Sequence, residues 1–143
     1  MKRAEAVLGT PVEVLTREVF THILRKLSAF LAQSDFTISE VAALHIIGQS
    51  GGLSIQALSQ QLELSVSATS RLASSLVEKG LVLRKADASD ARVKVLTCTR
   101  EGARLLDRMS LERVNAIFDV AETLPPAIAE KILSAMAQVK RER

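Results

Sequence analysis

The chain has no tryptophan and no tyrosine, and only one cysteine, two histidines and three prolines among its 143 residues. A single thiol, Cys98, cannot form an internal disulfide, and such sparing use suits a reducing, cytoplasmic compartment. His22 and His45 are the only histidines, and neither stands at metal-ligand spacing from Cys98, so no metal site is expected. No glycine-rich stretch has the spacing that cradles a nucleotide phosphate, and no cofactor is expected. No acid–base or nucleophile pair stands out, which argues against a small enzyme. No apolar run approaches the roughly 20 residues of a membrane span. Ala4 to Leu8, after the basic start Met1-Lys2-Arg3, is too short for the core of a signal peptide, so no leader is expected.

What is present fits one globular domain spanning 1–143. Hydrophobic residues make up 48% and charged residues 24%, enough for a core without metal or disulfide support. The net charge is only +3, but its distribution is uneven. Residues 65–100 hold Arg71, Lys79, Arg84, Lys85, Arg92, Lys94 and Arg100 against Glu78, Asp87 and Asp90, whereas residues 37–64 hold only Glu40 and Glu63. A local basic footprint on a near-neutral chain has two readings, a nucleic-acid reader or a solvated basic face, and charge alone does not separate them.

Pro11 suits a helix start, and Val12, Leu15, Val19, Ile23, Leu27, Phe30 and Leu31 form a helical stripe that Phe20 and Leu24 widen. Thr37-Ile38-Ser39-Glu40 spells a capping box. The helix it opens is expected to run through Ile47 and to end in Gly48-Gln49-Ser50-Gly51-Gly52. His45 on that helix reads as a packed or half-exposed residue. Ser54 is an N-cap candidate for a short helix with Ile55, Leu58 and Leu62 inward. Leu62-Glu63-Leu64 makes a turn, and Ser65 caps the next helix.

On that next helix Thr69, Leu72, Ala73 and Leu76 form an inner face. Ser67, Ser70, Arg71, Ser74 and Glu78 fall outside. A merely solvated face would mix Lys and Glu for helix propensity and i,i+4 pairs. Small hydroxyls instead let a helix sink into the DNA major groove, where an Arg bonds guanine at two points. Helix, tight turn and a second helix so decorated make a helix-turn-helix pattern. Gly80 ends the helix. Leu81–Ala86 and Arg92–Thr97 are β-rich and flank a turn at 87–91, which together form a charged hairpin, or wing. Arg92 at its tip suits a narrow minor groove, with Asp90 bracing it; stabilising the turn is the plainer role of both. Thr99 caps a long helix with Gly102 in its first turn and Leu106, Met109, Ile117, Phe118 and Ala121 along its stripe. Leu124-Pro125-Pro126 stops it. A final helix uses Ile128, Ile132, Leu133, Met136 and Val139. The fold class is therefore mainly α with a small β-hairpin wing (α+β), and the flanking helices, 11–34 and 103–143, are free to form a dimer interface around a winged region at 37–102.

Leu62-x-Leu64-Ser65-x-Ser67-Ala68-Thr69-Ser70-Arg71-Leu72, then Leu76, Lys79-Gly80-Leu81-Val82, Arg84, Asp87, Asp90, Arg92 and Thr99-x-x-Gly102, resemble the MarR family of bacterial winged-helix regulators. The resemblance implies a homodimer whose terminal helices intertwine and whose two winged helices bind a pseudo-palindrome of double-stranded DNA. It puts Ser65, Ser67, Ala68, Ser70 and Arg71 at the major groove, Arg92 in the minor groove with Asp90 supporting it, and makes Arg84 and Lys94 phosphate contacts. Ala88 stands where the family often has Pro, Ala91 where a second wing Arg is common, Cys98 where Leu is usual and Val77 where Glu is common. Some relatives sense oxidants through a cysteine in the first helix, which this chain lacks; Cys98 reads as a buried, inert thiol. The family often binds small anions between dimer helices and winged helix, which makes Phe20, His22, Arg25 and Phe36, with Phe30, effector candidates, although core packing accounts for the phenylalanines as well. The expected function is a sequence-specific transcription regulator, a repressor released by a small-molecule effector. The alternative is a winged-helix protein-interaction or ligand-binding module with weak or lost DNA binding, which the neutral Ala91 favours.

Overall fold

A computed structural model describes residues 10–86 and 94–137. Six helices and three short strands follow in the order α1 Pro11–Ala32, α2 Ile38–Ser50, β1 Leu53–Ser54, α3 Ile55–Leu62, α4 Val66–Glu78, β2 Val82–Ala86, β3 Lys94–Cys98, α5 Arg100–Ala121 and α6 Pro126–Ala137. Packing divides the chain into two compact units, central and outer by their place in the sequence: a central one of Leu31–Ser110 and an outer one made of the flanking segments Met1–Phe30 and Leu111–Arg143. The expected tip of the wing, including Ala88, Asp90, Ala91 and Arg92, lies outside the described residues, as does the basic C-terminal end.

The central unit is built on apolar residues from most of its elements. Leu44 and Ile47 of α2, Leu58 of α3, Ala73 and Leu76 of α4, Val82 of β2 and Leu96 of β3 are all fully buried. Each large aliphatic side chain so buried contributes about 1.5–3 kcal/mol. β3 is the middle strand of a three-stranded antiparallel sheet in the order β1-β3-β2. Leu53 pairs with Leu96 and Ser54 with Val95 on one side, and Val82 with Cys98 through Ala86 with Lys94 on the other. The two-residue β1 has no sequence signature of its own. Ser54 was legible only as the cap of α3, which it also is, accepting from the Ala57 N–H at 3.1 Å.

In the outer unit, Ala116, Val120 and Ala121 of α5 are buried. His22 of α1 faces Asp119 of α5 at 2.9 Å and Lys26 faces Glu112 at 3.3 Å, the former without hydrogen-bond geometry at Nε2. Lys26, Glu112 and Asp119 are well exposed, so these pairs register one helix on the other more than they stabilise it.

Two glycines are used for close approach, and one of them corrects the sequence reading. α2 does not stop at Ile47; it continues to Ser50 and is capped by Gly51 at φ 69. Gly48 is therefore internal, and a β-carbon there would run into the Leu106 side chain of α5. Gly102, buried in the first turn of α5, leaves still less room, because a β-carbon would meet the Leu81 carbonyl oxygen and lie 2.7 Å from Cys98 Sγ. Thr99 fixes this turn by donating its hydroxyl to the Gly80 carbonyl at 2.8 Å and accepting from the Gly102 N–H at 3.0 Å.

The difference between a yielding and an unyielding neighbour is testable. Gly102→Ala is expected to lower unfolding free energy by about 1–3 kcal/mol or more, as overpacking against backbone does. Gly48→Ala is expected to cost less, because Leu106 can change rotamer and Ala has the better helix propensity. Urea midpoints of the two variants decide it, and equal losses would contradict the packing described.

Candidate nucleic-acid interface

α3 and α4 are joined by a turn in which Glu63 adopts the left-handed region, φ 55 and ψ 37. The Glu63 N–H donates to Gln60 and the Leu64 N–H to Ser59 at 3.0 Å, which closes the end of α3 before the chain reverses. Ser65 then caps α4, its hydroxyl accepting from the Ala68 N–H at 3.2 Å. Of the inner face of α4 read from the pattern, Thr69, Ala73 and Leu76 are fully buried, whereas Leu72 is half-buried and lines an open cleft.

The outer face differs in its chemistry from the sequence reading. Most of its hydroxyls already have partners within the protein. Ser65 Oγ lies 3.2 Å from Ser67 Oγ, and Ser74 Oγ accepts from Arg84 at 2.8 Å. Ser75 donates to Glu40. Ser70 and Ser74 are half-buried, whereas Ser65, Ser67 and Arg71 are exposed, and Ala68 is half-buried. Val66, in the first turn, is 55% exposed, and no pattern around it singles it out. An exposed β-branched residue at that position serves neither helix propensity nor core packing.

Arg84 and Lys94 share one face of the β2–β3 ribbon. Arg84 is opposite Leu96 and Lys94 is opposite Ala86, two residues along. Arg84 reaches back to α4, where Nη2 donates to Ser74 Oγ and lies 3.5 Å from the Ser70 carbonyl. This contact ties the ribbon to the helix, and a guanidinium with five donors retains others for a further acceptor. Lys94 is exposed. Asp90 and Arg92 lie outside the described residues.

The strongest electrostatic feature lies where α2 begins. Glu40, with its side chain only 5% exposed, completes the capping box read from the sequence. Its Oε2 accepts from the Thr37 N–H at 2.7 Å and the Thr37 hydroxyl at 3.1 Å, while Thr37 Oγ1 accepts from the Glu40 N–H at 3.2 Å. Its Oε1 accepts from the Ser75 hydroxyl and from Lys79 Nζ at 3.0 Å, both on α4 or its C-cap. Lys79 also donates to the Asp35 carbonyl at 2.8 Å and sits 4.5 Å above the Phe36 ring. Burial pushes the carboxyl pKa up, but the hydrogen bonds from Ser75, the Thr37 backbone, Lys79 and the Thr37 hydroxyl together outweigh it and hold Glu40 down to about 2. Thr37, Ser39, Glu40, Leu64, Ala68, Arg71, Leu72 and Ser75 line an open cleft of about 370 Å³ beside this junction.

The effector candidates fall in different places. Phe20 and Arg25 of α1 are exposed and His22 faces Asp119, all within the outer unit. Phe36 belongs to the central unit and lies beneath Lys79. Cys98 is half-buried and not buried as expected; burial raises its thiol pKa, which lowers the thiolate fraction on which oxidation depends. Among the described residues no group of three or more His, Cys, Asp or Glu side chains is placed to hold a metal ion, and no helix is long and apolar enough to cross a membrane.

A helix-turn-helix followed by an antiparallel ribbon, on a small sheet closed by β1, is a winged helix. Residues 36–94 match the MarR family. Over 134 residues, covering 88% of this chain and 92% of the relative, the sequence is 33% identical to the HTH-type transcriptional regulator YxaD of Bacillus subtilis. The fold is similar to that of the transcriptional regulator Tm0710 from Thermotoga maritima, with a TM-score of 0.69, 22% identity and coverage of 97% of this chain and 92% of that one. It is also similar to CouR from Rhodococcus jostii RHA1, solved bound to p-coumaroyl-CoA, with a TM-score of 0.59, 22% identity and coverage of 95% and 96%. The chain belongs to the MarR family. It is a DNA-binding transcription regulator and not an enzyme.

The Glu40 junction has a pH signature. A glutamate held at about 2 when folded, against an ordinary value of 4.5, contributes about 3 kcal/mol of stability. Because the folded value is the lower one, that contribution is complete above about pH 5 and is lost as pH falls toward 2. Glu40→Gln is expected to be less stable than the parent at pH 7, with the gap closing between pH 5 and pH 2 in urea titrations. A gap that does not change with pH would contradict the junction.

Proposed function

We propose that the protein is a homodimeric, sequence-specific reader of double-stranded DNA that represses transcription by occupying a pseudo-palindromic operator in the cytoplasm, and that a small-molecule effector releases it. The observation that carries this reading is the outer face of α4, where Arg71 and Val66 project from a helix whose hydroxyls are largely engaged within the protein. Ser65, Ser67, Ala68 and Ser70 are small enough to let this face approach the floor of the major groove. Arg71 bonds a guanine edge, and Val66 meets a thymine methyl group. Arg84 and Lys94, on one face of the ribbon, contact phosphates, and Arg92, supported by Asp90, enters the adjacent minor groove.

The second copy is supported by the apolar side chains that the outer unit leaves in water. Phe20 and Leu24 of α1 and Leu111, Val114 and Phe118 of α5 are each at least 45% exposed. The α5 set recurs at i, i+3 and i+7, one face of a helix, and an apolar stripe of that kind on a regulator marks an association surface. Two-fold symmetry then spaces the two recognition helices by about one turn of DNA. The effector proposal draws support from CouR, a protein of the same fold that binds p-coumaroyl-CoA. Phe20, His22 and Arg25, within two turns of α1, are the effector candidates carried forward; Phe36 is the less accessible member, since it lies beneath Lys79.

Equilibrium titration with a duplex selected from random-sequence DNA tests the reading. Arg71→Ala is expected to cost about 1–3 kcal/mol and to relax preference at one base position. Lys94→Ala is expected to weaken all sequences alike and to reduce the salt slope by about one. Wild-type binding that is indifferent to salt, with Arg71→Ala unchanged in affinity, would sink it.

A further inference from the structure

The geometry points to Ser75, Lys79 and Glu40 as positioning residues that fix the rotation of α4 about its own axis and so set where Arg71 meets DNA. This rests on the reading of α4 as the DNA-contacting helix. Arg71, Ser75 and Lys79 are spaced i, i+4 and i+8, so they lie along one stripe of α4 and its cap. Two of the three are fastened to the same buried carboxylate, Ser75 through its hydroxyl and Lys79 through its ammonium at 3.0 Å. The third, Arg71, is exposed one turn away and lines the same cleft as Glu40 and Ser75.

The anchor itself does not move easily. Glu40 is held in the first turn of α2 by both halves of the capping box. Lys79 is held from a second direction by the Asp35 carbonyl at 2.8 Å and the Phe36 ring. The buried face of α4 carries one large aliphatic side chain, Leu76, beside the short Thr69 and Ala73, so packing holds the helix chiefly at one point and the polar anchor adds a second. Side-chain tips stand about 5–6 Å from a helix axis, so a rotation of roughly 20° displaces them by about 2 Å. That is enough to break a two-point hydrogen bond to a base. The capping box itself does not demand a charge at position 40, since glutamine also serves in that motif; the charge serves the contacts to Ser75 and Lys79 across to α4. Buried ion pairs are often neutral for stability relative to apolar replacements, and their better-attested use is to specify one arrangement among several.

The test is a double-mutant cycle on full-length protein, with Ser75→Ala and Glu40→Gln each made alone and together with Arg71→Ala. Affinity is measured for a duplex selected from random DNA by the wild-type protein and for an unrelated duplex of the same length, with urea unfolding alongside. Ser75→Ala is the milder change and keeps the test valid if Glu40→Gln fails to fold. The expected result is a roughly tenfold loss on the selected duplex, within the range of coupled neighbouring sites, no loss on the unrelated one, and no further loss once Arg71 is absent. A loss that is equal on both duplexes, or undiminished in the Arg71→Ala background, overturns the positioning role. If Arg71→Ala alone leaves selected-duplex affinity intact, it is the DNA-contact reading of α4 that fails.

Discussion

A single buried carboxylate determines how two helices of the central unit meet. Glu40 is removed from water, which by itself would favour the neutral acid, yet four hydrogen bonds, one of them from the Lys79 ammonium, keep it ionised. Taking away any one partner leaves a charge in a site that cannot solvate it, which is costlier than the bond itself is worth. Its partners are Thr37, Ser75 and Lys79, and Lys79 in turn holds the Asp35 carbonyl, so the start of α2, the end of α4 and the segment before α2 are drawn to one point. The apolar core beneath, from Leu44 to Leu96, supplies the bulk of the stability. It is the junction that gives the assembly of helices one geometry.

The ribbon depends on the same helix through a second contact. Arg84 spans from β2 to Ser74 and Ser70 of α4, so the strands that carry Lys94 are referenced to the helix that carries Arg71. Thr99 and the close packing at Gly102 attach the start of α5 to the Gly80–Leu81 corner. The proposed DNA-binding surface, made of two separate elements, would need such cross-ties, because base recognition tolerates errors of well under a helix radius.

What was legible in the sequence is what is local. The Thr37–Glu40 capping box, the Ser54 and Ser65 caps and the inner face of α4 all depend on residues within one or two turns of each other. What escaped was made by pairs distant in the chain. β1 exists only because β3 offers it an edge. Gly48 looked like a helix terminator and is instead a seat for Leu106, 58 residues on. The serine-rich outer face of α4 reads as hydroxyls offered to DNA, but Ser74 is held by Arg84, a partner that the helix sequence cannot reveal, and Ser75, which that reading does not include, is held by Glu40. The same limit applies to Phe36, whose place under Lys79 follows from the junction and not from any pattern around residue 36.

The central claim is that two copies of α4 lie in successive major grooves on one side of a DNA duplex. Hydroxyl-radical footprinting of a duplex selected from random DNA tests it most directly. Two protected tracts related by a dyad, with centres about one helical turn apart, are the expected result. Uniform cleavage at protein concentrations that saturate any binding, or one tract with no symmetry-related second, would contradict it.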